Sequence, residues 1–207
     1  TFTNVAVLTG IGSVDGLGGD DSIQLFTAGT VTDAAFDVVS SVENLVLANG
    51  INNVTFGDSA AAADLDTVVL TGTASNVIPG PPPVLVPATI NTLTASGVTN
   101  ITGSAGNDNV TADAALSFVN FTAGVGVPIA PATNTLTYNE AGVDATVWTN
   151  AQGNDSITLF GAAGTGNSLT LGAPATLAAG STVITGALSN DTVVGGANND
   201  TFNTGGG

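Results

Sequence analysis

The chain of 207 residues carries 16 acidic side chains and no Lys, Arg or His, a formal charge of −16. Phosphate recognition needs Lys or Arg, so nucleic acid and anionic membrane surfaces are excluded as partners. Nucleophilic triads, Schiff-base sites, P-loops and kinase-type centres each lack a required residue, so no enzymatic activity is expected.

Val, Ile, Leu, Thr and Ala fill most apolar positions, and aromatics are only 5% of the chain. β-branched side chains suit a pleated surface, and short runs of them separated by Gly, Asn and Asp predict an all-β fold with few or no helices. Thr3 to Leu8 reads as a first strand and Ser22 to Phe26 as a second. Thr32 to Val39 has a capping residue, an early acid and helical spacing, which predicts a short helix. Val42 to Leu47 and Ile51 to Phe56 flank Asn49-Gly50, a dipeptide that predicts a hairpin because both positions tolerate positive φ. Ser59 to Ala63 reads as one helical turn, and strand character resumes at Thr67 to Thr71.

Pro79-Gly-Pro-Pro-Pro83 and Pro87 interrupt the pattern. Proline cannot donate to a strand ladder, so residues 79–89 are a loop or linker between a β-rich segment (1–78) and a second one (90–207). Strands are expected at Ile90 to Thr94, Val98 to Thr102, Asn109 to Thr111, Phe118 to Thr122, Thr133 to Tyr138, Ala145 to Thr149 and Ser156 to Phe160. Gly126 to Pro131 reads as a loop. The tail adds Ser168 to Leu171, Thr182 to Thr185, Thr192 to Val194 and Thr201 to Asn203. So many short strands must stack, close or coil.

Two nine-residue units stand in tandem near the end, Gly186-Ala-Leu-Ser-Asn-Asp-Thr-Val-Val194 and Gly195-Gly-Ala-Asn-Asn-Asp-Thr-Phe-Asn203. A third begins at Thr204. Single copies lie at Gly16 to Gln24, Gly103 to Thr111 and Asn150 to Thr158, and Ala61 to Val69 keeps only the Asp and the apolar residue after it. The Asp at position six falls at Asp21, Asp66, Asp108, Asp155, Asp191 and Asp200, in steps of 45, 42, 47, 36 and 9 residues. A step near 45 fits two rungs of a coiled β structure, or one rung with an insertion.

These units resemble the glycine- and aspartate-rich nonapeptide of RTX (repeats-in-toxin) proteins, a calcium-binding repeat. Close matches cover about a fifth of the chain, and the strand pattern around them is similar to RTX-type surface-layer proteins and large adhesins. The resemblance implies a β-solenoid or β-roll whose turns hold Ca²⁺, with ions shared between turns two units apart. The ligands it implies here are Asp20, Asp21, Asp66, Asp108, Asp155, Asp191 and Asp200, with Gly186 and Gly195 opening the tandem turns. Oxygen-rich turns suit a hard cation, and the absence of His and Cys disfavours zinc and copper. The turn at Gly186 to Asp191 is expected to share its ion with a turn 18 residues on, at Thr204.

The expected function is structural: a secreted, calcium-stabilised building block of a bacterial surface layer or filament, assembling with copies of itself. The alternative is a calcium-dependent adhesin module that binds a glycan or a cell surface. Neither nucleic acid nor direct membrane insertion enters either reading. The Glu140/Asp144 and Asp64/Asp66 pairs lack the aromatic platforms and cationic partners of a glycoside hydrolase, and Tyr138 and Trp148 read as core or loop anchors. Thr-rich strands such as Thr133-Asn-Thr-Leu-Thr137 suggest an ice-binding face. Such a face needs a Thr-x-Thr ladder at one regular spacing, which the sequence does not display.

Overall fold

The computed structural model describes residues 10, 12–73, 76–78, 84–86, 88–121, 132–149, 154–161, 165–172, 181–188, 190–196 and 199–205. The expected strand at Thr3 to Leu8 and the loop at Gly126 to Pro131 lie outside them.

In chain order the strands are β1 (Val14–Asp15), β2 (Ser22–Gln24), β3 (Thr30–Val31), β4 (Val39–Ser40), β5 (Asn44–Val46), β6 (Asn52–Thr55) and β7 (Thr67–Val69). Then come β8 (Asn76–Ile78), β9 (Val84–Val86), β10 (Ile90–Ala95), β11 (Asn100–Thr102), β12 (Asn107–Ala112) and β13 (Phe118–Asn120). The last are β14 (Thr135–Tyr138), β15 (Asp144–Trp148), β16 (Asn154–Thr158), β17 (Ser168–Gly172), β18 (Ser181–Thr185), β19 (Thr192–Val194) and β20 (Asn199–Asn203). The helical content of the described residues is slight. Asp33–Phe36 forms a 3-10 turn and Asp58–Ala62 a short α-helix, both where the sequence placed them.

Two eight-stranded sheets hold nearly everything. The first runs β2-β5-β7-β11-β13-β15-β17-β19 and the second β3-β6-β10-β12-β14-β16-β18-β20. Every pairing in both is parallel, so the chain alternates between the sheets and adds one strand to each per circuit. Parallel neighbours need a crossover, and here the crossover is the strand in the opposite sheet. Inward residues of both sheets, such as Leu45, Val68, Ile101 and Val147 from the first and Val54, Val110, Leu136 and Ile157 from the second, form one buried cluster.

The Asn49-Gly50 hairpin does not form. β5 pairs with β2 and β7, and β6 pairs with β3 and β10, so the two flanking strands belong to opposite sheets. Gly50 does adopt φ 142°, but at a corner between sheets. A side chain there would also strike Ala28 Cβ at 2.6 Å. Pro79 to Pro83 and Pro87 lie outside the described residues, but the sheets before and after them are continuous. β8 and β9 pair antiparallel on either side of Pro79 to Pro83, while Val54 pairs with Leu93 and Val68 with Ile101 across the whole stretch.

One tetrapeptide organises the second sheet. It reads Asn52-Asn-Val-Thr55, Asn91-Thr-Leu-Thr94, Asp108-Asn-Val-Thr111, Asn134-Thr-Leu-Thr137, Asp155-Ser-Ile-Thr158, Thr182-Val-Ile-Thr185 and Asp200-Thr-Phe-Asn203. Strand side chains alternate between faces. The first and third residues therefore point inward, and the second and fourth outward. Register stacks the fourth residues directly: Thr55 on Thr94, Thr94 on Thr111, Thr111 on Thr137, Thr137 on Thr158 and Thr158 on Thr185. The regular threonine ladder that the sequence conceals is therefore present. Its steps along the chain are 39, 17, 26, 21 and 27 residues, because loops of unequal length separate equal strands.

The two large polar-tipped aromatics are anchors. Tyr138 is 1% exposed and its hydroxyl donates to the Leu116 carbonyl at 3.1 Å. The Trp148 ring lies over Gly172, where a Cβ would come within 2.3 Å of it.

Candidate metal sites and the buried carboxylate ladder

Three of the glycine–aspartate units share one turn geometry. The carboxylate of the sixth residue folds back and accepts the backbone N–H of the second. Ser104 N donates to Asp108 Oδ2 at 2.6 Å, Ala187 N to Asp191 Oδ2 at 2.7 Å and Gly196 N to Asp200 Oδ2 at 2.9 Å. That fold-back explains the leading glycine. A Cβ on Gly103, Gly186 or Gly195 would sit 2.9, 2.8 or 3.0 Å from the same carboxylate oxygen, and on Gly16 it would sit 2.9 Å from Asp21 Oδ2. Among the described leading glycines of these units, Gly16, Gly103, Gly186 and Gly195, none has positive φ; the left-handed positions of the first unit are Leu17 and Gly19. Close approach of the carboxylate, more than a left-handed backbone, is what requires the first glycine.

The position-six aspartates separate into two rows. Asp108, Asp155 and Asp200 enter the second sheet, and Asp21, Asp66 and Asp191 enter the first. Asp108 and Asp155 are interior, 0% and 3% exposed. With no cation available, amides satisfy them. Asn52 Nδ2 donates to Asn91 Oδ1 at 2.8 Å, and Asn91 Nδ2 donates to Asp108 Oδ1 at 2.8 Å. Ser104 Oγ adds a 2.8 Å donor to the same oxygen. Below it, Asp108 N donates to Asn134 Oδ1 at 3.0 Å, and Asn134 Nδ2 donates to Asp155 Oδ1 at 2.9 Å. From Asn91 to Asp155, Asn and Asp thus alternate through the interior, the Asn134 amide holding the two carboxylates apart. Burial pushes the Asp108 carboxyl above its ordinary value, and the bonds from Asn91 and Ser104 oppose that only in part. The ladder is less complete toward β20, where Thr182 Oγ1 and Asp200 Oδ1 are buried without a hydrogen-bond partner.

The first row is more open. Asp21 N donates to Glu43 Oε2 at 2.8 Å, and Asn44 Nδ2 donates to Asp20 Oδ1 and to the Asp21 carbonyl. Asp66 is exposed, and its backbone carbonyl accepts Thr99 N and Asn100 N, each at 3.0 Å. Asp191 Oδ1 accepts Asn167 Nδ2 at 2.8 Å, and Asn167 Oδ1 in turn accepts Gly142 N and Val143 N.

These positions differ in how well they suit Ca²⁺, which takes six to eight oxygens. Among the described residues no three acidic side chains converge on one point. Asp108 fits poorly because it is fully enclosed, whereas Asp191, whose two oxygens likewise each accept a donor, is only half-buried. The tandem tail fits better. Gly186 N donates to Asn203 O at 2.8 Å, and Gly205 packs so closely that a Cβ there would lie 2.5 and 2.4 Å from the Gly186 and Ala187 carbonyl oxygens. The turn at Gly186 to Asp191 therefore lies against Thr204-Gly205, as the nonapeptide period predicts. A cavity of about 370 Å³ opens between them, with Asp191, Asn190, Asn203 and Thr204 among its walls.

The sequence reading missed Asp33. Its carboxylate accepts Gly57 N at 2.7 Å and Ser59 N and Ala60 N at 3.0 Å, capping the Asp58–Ala62 helix from the preceding circuit. Burial acts to raise its pKa, but the N–H groups of Ala60, Ser59 and Gly57 and the Ser59 side chain outweigh it and hold the carboxyl below its ordinary value. The free N–H groups at that helix start were the available signal, but their partner lies 24 residues or more away.

No protein-family model, no curated protein and no solved structure matches this chain. No helix among the described residues is long and apolar enough to cross a membrane.

Proposed function

We propose that the chain is a β-solenoid of the β-roll kind, an extracellular structural building block of a bacterial surface layer or filament that assembles with copies of itself and is stabilised by Ca²⁺. What supports this most directly is the tail. Ile184 pairs with Phe202, 18 residues on, so two nonapeptides make one circuit there and their turns stack. Backbone carbonyls of Gly186 and Ala187 and the Asp191 carboxylate supply oxygens beside the Thr204-Gly205 turn of the next circuit. A divalent ion between such turns would join one circuit to the next and offset the self-repulsion of a chain at −16.

Thermal unfolding with Ca²⁺ and after chelation, at constant ionic strength, tests the reading. Calcium at a thousandfold excess over its dissociation constant stabilises by about 4 kcal/mol. At roughly 2–4 °C per kcal/mol for a chain of this size, chelation should lower Tm by about 8–16 °C. Asp191→Asn should remove most of that response. A Tm indifferent to EDTA would sink the calcium reading.

A further inference from the structure

We infer that the outer face of the second sheet is an ice-binding surface. The inference is independent of the calcium and assembly proposals, because it rests on a different part of the molecule.

Thr55, Thr94, Thr111, Thr137, Thr158 and Thr185 form an unbroken column in successive strands. All six are exposed or half-buried, and among the described residues nothing hydrogen-bonds their hydroxyls. Two residues earlier on the same face runs a second column, with Thr92, Asn109, Thr135 and Ser156 in consecutive strands. Neighbouring strands lie about 4.7–4.9 Å apart, and alternate residues along a strand about 6.6–6.8 Å apart. The face is therefore a two-dimensional lattice, with hydroxyls and methyls throughout the threonine column and an amide at Asn109 in the second, where Asn109 Oδ1 accepts the Thr135 hydroxyl at 2.8 Å. A ligand that matches it along both axes must itself be a lattice with repeats of that order, as the oxygens on a prism face of hexagonal ice are.

The chemistry of the face points the same way. In a chain with 16 carboxylates, none stands among the outward residues of β10, β12, β14, β16 or β18. A charge there would bind water in a shell that no crystal plane can continue. No outward residue of these strands is aromatic either, which disfavours a polysaccharide surface, where flat rings stack on sugars. Threonine is stiff at χ1, so each hydroxyl and methyl is held in place before contact and little entropy is lost on binding. The outer face of the first sheet lacks this order: Asn100, Phe118 and Thr146 stack in one column, and Thr102, Asn120, Trp148 and Gly172 in the next.

The test is ice-recrystallisation inhibition and thermal hysteresis of the whole folded chain, beside Thr137→Tyr in the centre of the ladder. Thr146→Tyr, on the outer face of the first sheet, is the control, and circular dichroism verifies that all three fold. We expect the parent and Thr146→Tyr to inhibit recrystallisation and shape ice crystals, and Thr137→Tyr to lose about tenfold in potency. No activity in the folded parent, or equal losses in both variants, overturns the inference. So does retention on crystalline cellulose or chitin, or self-association, that Thr137→Tyr abolishes while ice growth is unaffected. Those results assign the ladder to a polysaccharide or to a second copy.

Discussion

Replacing Asn134 tests whether amides take the place of cations inside this chain. Asn134 is 0% exposed, accepts Asp108 N at 3.0 Å and donates to Asp155 Oδ1 at 2.9 Å. Asn134→Ala strands a buried N–H, which costs about 1–3 kcal/mol, and removes a donor from a buried carboxylate, which costs about 1.5–3 kcal/mol. Asn134 N also donates to Asp155 Oδ1, at 3.3 Å, and survives the substitution, so the expected total is about 3–5 kcal/mol. Average stabilities per residue put the whole chain at roughly 10–30 kcal/mol, so this is a sizeable share, and Tm should fall by about 10 °C. Asn134→Asp is the sharper probe. It sets a third carboxylate between Asp108 and Asp155, so at neutral pH it should be worse than alanine. Burial and the neighbouring carboxylates raise the added carboxyl above its ordinary value, so in acid it protonates and regains a donor, and the variant should recover relative to Asn134→Ala. Urea unfolding followed by circular dichroism at pH 7 and pH 3.5 measures both. An alanine variant within about 0.5 kcal/mol of the parent, the range of ordinary surface substitutions, or an aspartate variant with no such pH dependence, refutes the ladder as a stabilising element.

Two further outcomes follow from the turns and the cap. Gly103→Ala would place a Cβ 2.8 Å from Phe121 Cδ1 and 2.9 Å from Asp108 Oδ2, and should destabilise by about 1–3 kcal/mol. Gly18→Ala, with nothing within 4 Å, should be neutral or gain up to about 1 kcal/mol; paired melting curves compare them. Asp33→Ala should lose about 1–2 kcal/mol at pH 7 through the uncapped helix start. Because the folded pKa of Asp33 lies below the ordinary 3.8, its contribution is present above that value and lost as pH falls through the folded one. The gap between parent and Asp33→Ala should therefore close in strong acid. Asp108 works in the opposite sense: its pKa is raised, so its ionisation lowers stability as pH climbs from 3.8 through the folded value. An Asp33→Ala gap that stays constant from pH 7 to pH 2 contradicts the cap.

Strand positions were legible because β-branched alternation is a local signal. Thr67 to Thr71 and Thr133 to Tyr138 contain the strands found there, and Ile90 to Thr94 falls one residue short of β10. Partners were not legible. Asn49-Gly50 meets the backbone requirement of a hairpin and of a corner alike, and only the position of β2 and β7 beside β5 distinguishes them. The threonine ladder was hidden by crossovers of unequal length. The glycine–aspartate motif implies carboxylates that point at an ion, yet Asp108 and Asp155 point into the core. The usable signal was the tetrapeptide: an amide or acid two places before a buried aliphatic and three before a threonine, recurring at irregular spacing.

That tetrapeptide also ties the inside of the second sheet to its outside. A one-residue slip in a strand moves every side chain to the other face. With Val, Leu or Ile alone inside, sliding one strand past the next would be resisted only by packing. With Asn52, Asn91, Asp108, Asn134 and Asp155 bonded in series, a slip would leave buried amides and carboxylates unpaired at several kcal/mol each. Apolar residues of similar volume would often stabilise a core at least as well, so the better-attested gain from such groups is register. Here register has a consequence on the other face. The bonds that place Asn134 between Asp108 and Asp155 also place Thr137 between Thr111 and Thr158. The buried ladder is the device that aligns the exposed one, which is how loops of unequal length leave a regular surface.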